Sequence, residues 1–173
     1  VVNPLVNSTL SMPQKEKLSE KFAVIGGGLA GMQAAIVLAK RGHYVDLYEK
    51  NQLGGQFNLA SLPPNKENLK NLVDYLKMEV FENSPHLIKV NAMEVNANDL
   101  LNKDYKAIIS ATGAIPKIPP IKGLREYYWT EFLTSAQLPE NQKVLVIGGG
   151  PLCIEKGRKI VDSNKQGVIV GKL

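Results

Sequence analysis

The 173-residue sequence holds one cysteine, Cys153, so it can form no internal disulfide and has no C-x-x-C redox pair. A lone thiol suits a reducing compartment, and Cys153 is read as inert. No stretch approaches the ~18 uninterrupted apolar residues of a membrane-spanning helix. Nor does the N-terminal stretch carry the apolar region of a signal peptide, so a cytoplasmic location and no membrane contact are expected. His43 and His86 stand without a cysteine or acid at ligand spacing, so no metal site is expected and both are read as solvated or capping. There is no G-x-S-x-G, no H-E-x-x-H and no paired-carboxylate context, which leaves hydrolase chemistry unsupported and nominates no catalytic residue. The net charge of +5 comes from scattered lysines without a dense basic run. That pattern reads as a solvated surface rather than a nucleic-acid interface.

Glycine, by contrast, is concentrated where it matters. Residues 23 to 49, AVIGGGLAGMQAAIVLAKRGHYVDLYE, place Gly26-x-Gly28-x-x-Gly31 directly after a short apolar run. A helical pattern follows, then a second apolar run ending in Glu49. Strand, glycine turn, helix, strand and acid in that order form the context of a dinucleotide-binding βαβ unit. Gly26 lets the chain turn sharply, Gly28 lets a pyrophosphate approach the backbone, and Gly31 lets the helix pack closely. The first helical residues, Leu29 and Ala30 with Gly31, offer unpaired N–H groups to phosphate. Glu49 can accept from a ribose 2′-hydroxyl and disfavours a 2′-phosphate, which favours FAD or NAD over NADP. Lys50 follows it at the same strand end.

The fold class expected is α/β: a doubly wound, Rossmann-like parallel sheet. Hydrophobic residues make up 44% of the chain, enough for a real core. Residues 1–20 read as an extended arm and 21–173 as the dinucleotide-binding domain. Strands are predicted at 22–25, 44–48, 87–90, 105–110 and 143–147. A helix is predicted at 29–41 with Met32, Ala35, Ile36 and Ala39 on one face. Another follows a cap at Asn65, with Leu69, Leu72, Val73, Leu76 and Val80 inward. Leu53–Phe57 reads as a glycine turn, 114–123 as a proline-rich connection and 157–171 as a terminal helix.

Val144–Pro151 (VLVIGGGP) starts like a second fingerprint, but Cys153 stands at its third glycine position and only 20 residues follow. A full βαβ unit needs about 30. The expectation is that 143–147 joins the first sheet and that the terminal helix returns its N-terminus to the same nucleotide.

With these residues in place the chain resembles the FAD-binding domain of the 2,4-dienoyl-CoA reductase, trimethylamine dehydrogenase and NADH:flavin oxidoreductase group, flavoproteins with an Old-Yellow-Enzyme-like barrel. The resemblance rests on the fingerprint, Glu49, GGQFNLASLPP at 54–64, SATGAIPKIPPIKG at 110–123 and EKGRKIVDSNKQGVIVGKL at 155–173. It implies FAD as cofactor. It also implies a parent that relays electrons from NAD(P)H through FAD to an iron–sulfur cluster and FMN, neither of which this chain would bind. The chain, which opens on Val1 rather than Met, is then an excerpt lacking the barrel. Residues 143–151 are the start or remnant of an inserted NAD(P)H domain, and 152–173 the end of the FAD domain. By the same resemblance Gly55 and Gln56 lie on the flavin side, and Ala111, Thr112 and Gly113 close a turn beside the cofactor. The family's Gly-Asp before the last helix is replaced here by Pro151-Leu152, which weakens the flavin end. Two other readings stay open: a structural module holding only ADP or NAD, and, more weakly, a small NAD-dependent dehydrogenase. Alone, the chain is expected not to turn over the parent's substrate. Self-association stays open.

Overall fold

The computed structural model describes residues 14–63, 65–115, 144–148, 150, 153–154, 157–158, 160 and 167–170. Most of the N-terminal arm, the proline-rich connection beyond Ile115, and Pro151-Leu152 lie outside the described residues. The chain divides into two compact units, residues 1–57 with 71–117, and residues 58–70 with 118–173.

The first unit is built on four parallel strands in the order β3-β2-β1-β4. These are β1 (Lys21–Ile25), β2 (Tyr44–Tyr48), β3 (Ile88–Asn91) and β4 (Ala107–Ser110). Phe22 pairs with Val45 and Ala107, and Val45 with Ile88. Helix α1 (Leu29–Lys40) connects β1 to β2 and buries Met32, Ala35, Ile36 and Ala39. Their i, i+3, i+4, i+7 spacing puts all four on one stripe. Fully buried Met32 and Ile36 contribute about 1.5–3 kcal/mol each. Gly42, at φ +93, ends the helix, and its N–H donates to the Ala39 carbonyl at 2.8 Å. Helix α3 (Asn68–Phe81) adds Leu76 and Val80 to the same core. Its buried Glu79 pairs with Lys40 of α1 at 2.7 Å. Hydrogen bonds from Lys40 and Asn83 hold this carboxyl below its ordinary value.

Side chains of β2 alternate between faces, as a strand demands. Val45 and Leu47 enter the α1 core. Tyr48 packs instead with Ala23 and Leu100 of α4 (Ala97–Leu101). On that second face the Tyr105 hydroxyl donates to Asp46 Oδ2 at 2.6 Å and meets the Tyr48 hydroxyl at 2.8 Å. Lys21 pairs with Asp46 at 2.9 Å. Burial works to raise the Asp46 carboxyl, but the bonds from Tyr105 and Lys21 outweigh it and hold it below its ordinary value. Burial and the Asp46 carboxylate push the Tyr105 phenol far up.

Several sequence expectations are corrected. Leu53–Gly55 turns as expected, with Gly54 at φ 106 and Gly55 at φ 52, but Gln56 and Phe57, expected in the same turn, open a short helix, α2 (Gln56–Ala60). Asn65 does not cap α3: at φ 64 it is left-handed, whereas an N-cap is extended. Leu72 points outward, 40% exposed. His43 is buried, with its ring edge-on to Phe22 and its Nδ1 accepting from the Glu20 N–H at 3.3 Å. Helix α4 was not expected at all.

The second unit departs most from expectation. Strand β5 (Val144–Ile147) does not join the first sheet; it pairs in parallel with β6 (Gly167–Val170) in a sheet of its own. The helix expected over 157–171 is therefore not formed at its far end. Helical residues include Cys153, Ile154, Gly157, Arg158 and Ile160. Beyond them the β-branched run Val168–Val170 after a glycine favours a strand over a helix. Buried Ile160 packs on Val146.

Candidate dinucleotide-binding site

The C-terminal end of β1 gathers the expected site residues within the first unit. The Gly26 N–H donates to the Tyr48 carbonyl at 2.8 Å, and the residue turns the chain at φ +101. A Cβ there would lie 2.3 Å from the Ala111 carbonyl oxygen, so only glycine lets the loop after β4 approach this closely. Ala111 extends the β1–β4 ladder through its N–H to the Ile25 carbonyl, 2.7 Å away. A Cβ on Gly31 would sit 1.8 Å from the Gly26 carbonyl oxygen. Helix α1 thus rests directly on the turn.

Gly28 is the N-cap of α1. It supplies no side-chain cap, and no acid occupies the first turn. The N–H groups of Leu29, Ala30 and Gly31 precede the first intrahelical donor, Met32, which bonds to the Gly28 carbonyl at 2.9 Å. Space beside Gly28 is open, with nothing within 4 Å of where its Cβ would point. An uncapped helix N-terminus with open space at its cap fits a pyrophosphate.

Glu49 ends β2 at the edge of this cradle. Its Oε2 accepts from the Gly27 N–H at 2.6 Å and its Oε1 from the Asn51 N–H at 2.8 Å. Half-buried and acceptor-only, it fits a ribose hydroxyl pair as a further donor. Lys50 is exposed and engaged by Glu94 at 2.8 Å, which holds its ammonium above the ordinary value. It stands at the rim, committed to another partner.

The glycine pair after Leu53 lies against the fingerprint. The Gly54 N–H donates to the Gly27 carbonyl at 2.8 Å, and a Cβ on Gly55 would be 3.2 Å from Gly28 Cα. Gln56, first residue of α2, donates through Nε2 to the Ala114 carbonyl at 2.8 Å. That bond joins the GGQF segment to the segment holding exposed Thr112 and Gly113. Sequence reasoning missed Gly27, Leu53, Gly54 and Ala114. The unbroken glycine triplet Gly26–Gly28 was the available signal for Gly27; Ala114 acts through its backbone and leaves no sequence trace.

The second glycine turn differs. Cys153 fills the position equivalent to Gly31, and a Cβ on Gly148 would meet its Sγ at 2.7 Å. Among the described residues no group of three His, Cys, Asp or Glu side chains could hold a metal, and no helix is long and apolar enough to cross a membrane.

An NADH oxidase from Thermoanaerobacter brockii is 34% identical over 181 residues, covering 99% of this chain and 28% of that protein. A bilirubin reductase from Mediterraneibacter gnavus is 37% identical over 163 residues, covering 91% and 24%. The chain thus spans about a quarter of the length of these relatives. Among solved structures, a 2-naphthoyl-CoA reductase superposes with a TM-score of 0.77 at 24% identity, covering 91% of this chain and 24% of that one. Histamine dehydrogenase from Rhizobium sp. 4-9 gives 0.76 at 17%, covering 91% and 25%. These two likenesses establish the shared fold. The sequence pattern described as pyridine nucleotide-disulphide oxidoreductase matches residues 20–171, and the chain belongs to that family as a Rossmann-like FAD/NAD-binding α/β domain.

Proposed function

We propose that the chain is the FAD-binding portion of a flavin oxidoreductase of the NADH:flavin oxidoreductase and 2,4-dienoyl-CoA reductase type. The observation that carries this reading is the uncapped α1 N-terminus beside the open Gly28, with Glu49 fixed at its edge. The helix end would hold the pyrophosphate and Glu49 the ribose. FAD is favoured over ADP alone because Gln56 ties the GGQF segment to the backbone after Thr112-Gly113, continuing the cradle past the pyrophosphate. Bound flavin would supply two-electron redox chemistry; these residues bind and orient it. Iron–sulfur and FMN centres, and the substrate site, would belong to the rest of a longer polypeptide, as would any turnover.

We assign residues 144–170 as the opening of a second dinucleotide unit, for the nicotinamide. Strand β5, the Gly148-x-Gly150 turn, helical residues and a parallel β6 repeat the order of β1, α1 and β2. The NADH oxidase alignment takes 181 positions to cover 99% of the chain. That leaves no room for a domain-sized gap after Pro151, so we favour this assignment over a remnant joined at residue 152 to the end of the FAD domain.

Calorimetric titration of the 173-residue chain with FAD and with ADP tests the cofactor. FAD is expected to bind more tightly. Equal affinities would favour the second reading, a module that holds only the ADP moiety. Binding of neither would overturn both.

A further inference from the structure

We propose that Gly27 and Glu49 act as one unit, making position 27, the free position of the fingerprint, a determinant of which nucleotide is accepted. The inference rests on the cofactor reading above and assigns a role to a residue outside the three fingerprint glycines. Gly27 is buried, and both its backbone N–H and its carbonyl are engaged. Its N–H donates to Glu49 Oε2 at 2.6 Å, and its carbonyl accepts from the Gly54 N–H at 2.8 Å. The other Glu49 oxygen is held by the Asn51 N–H at 2.8 Å. Backbone donors therefore fix both oxygens of the carboxylate.

This grip requires glycine at 27. A Cβ there would lie 2.4 Å from Leu53 Cδ2, 2.9 Å from Glu49 Cβ and 3.0 Å from Glu49 Cγ. Leu53 is itself part of the buried core and has little room to yield. Even a methyl group at 27 must push Glu49 off its N–H. A glutamate on a free side chain could turn aside to admit a 2′-phosphate; one locked at both oxygens cannot. The lock presents lone pairs to a 2′-hydroxyl and a fixed like charge to a 2′-phosphate. It builds rejection of the wrong nucleotide into the ligand-free protein.

The test uses the 173-residue chain as wild type, G27A, E49A and the double variant. Each is titrated with ADP and with 2′-phosphorylated ADP, and its Tm is read without ligand. Wild type should prefer ADP by about tenfold or more, and G27A should weaken ADP binding by about tenfold, the scale of one charge-assisted hydrogen bond. In the E49A background G27A should change ADP affinity by less than about twofold. Equal effects of G27A in both backgrounds overturn the proposal, because crowding against Leu53 alone would act in both. If G27A does not fold, E49D serves instead: it keeps the charge but cannot span to the Gly27 N–H, and an unchanged preference for ADP in E49D overturns the proposal. A wild type that binds neither nucleotide overturns the cofactor reading and the selectivity with it. In that case the Tm values still decide the grip itself: non-additive losses support it and additive losses refute it.

Discussion

Gly31 has the least freedom of any residue in the cradle. A methyl group there would overlap the Gly26 carbonyl oxygen at 1.8 Å, and both partners are backbone or near-backbone atoms that cannot rotate away. G31A is expected to destabilise the chain by about 3 kcal/mol, read as a lower urea midpoint with an unchanged slope. Within the fingerprint, Gly26 and Gly31 answer to local steric demands that the spacing makes legible, whereas Gly28 faces open space. Glu49 was legible by its place at the end of β2. Less visible were bonds that depend on chain distant in sequence, such as Gln56 to Ala114 or Tyr105 to Asp46. Nothing in a glutamine or a tyrosine announces a partner more than fifty residues away. The burial of His43 escaped notice for the same reason, since it rests on Phe22 from a neighbouring strand.

Elements with strong periodicity were read well, and short ones were not. Helix α1 shows its apolar stripe over three turns and its glycine stop, so its extent and face followed directly. Helix α4 has only five residues, too few for a period to register. What fixes it is a capping box: Asn96 Oδ1 accepts from the Asp99 N–H at 3.2 Å, and Asp99 Oδ2 accepts from the Asn96 N–H at 2.8 Å. The cap positions Leu100, fully buried beneath Tyr48. Replacing Asn96 with alanine is expected to cost about 1 kcal/mol in chemical denaturation. ADP affinity should stay within about twofold, because α4 lies on the sheet face opposite α1. At the other end of the chain, Val168–Val170 shows that a β-branched run after glycine can override a helical stripe.

At the scale of the whole molecule, stability should depend on pH through two carboxylates on opposite faces of the first sheet. Asp46 and Glu79 are both held below their ordinary values of 3.8 and 4.5. A depressed carboxyl contributes stability that is present above its ordinary value and lost as pH falls through the folded one. Tyr105 works in the opposite sense, pushed up from 10.0, so its contribution is present below that value and lost as pH rises beyond it. The Tm should therefore be level near neutrality, fall below about pH 4.5 and fall again above about pH 10. A D46N/E79Q variant should lose most of the acid limb; an unchanged acid limb would show that other groups control it. Topology also sets an order of assembly. Strands β1 and β2 with α1 form a local unit, whereas Phe22 pairs with Ala107 far along the chain. Closing that long loop is the slow, entropically opposed step. The Ala111 wall against Gly26 arrives with it, so the cradle is complete only after the longest-range contact is made. During refolding, the recovery of nucleotide affinity should consequently lag behind the recovery of helical signal.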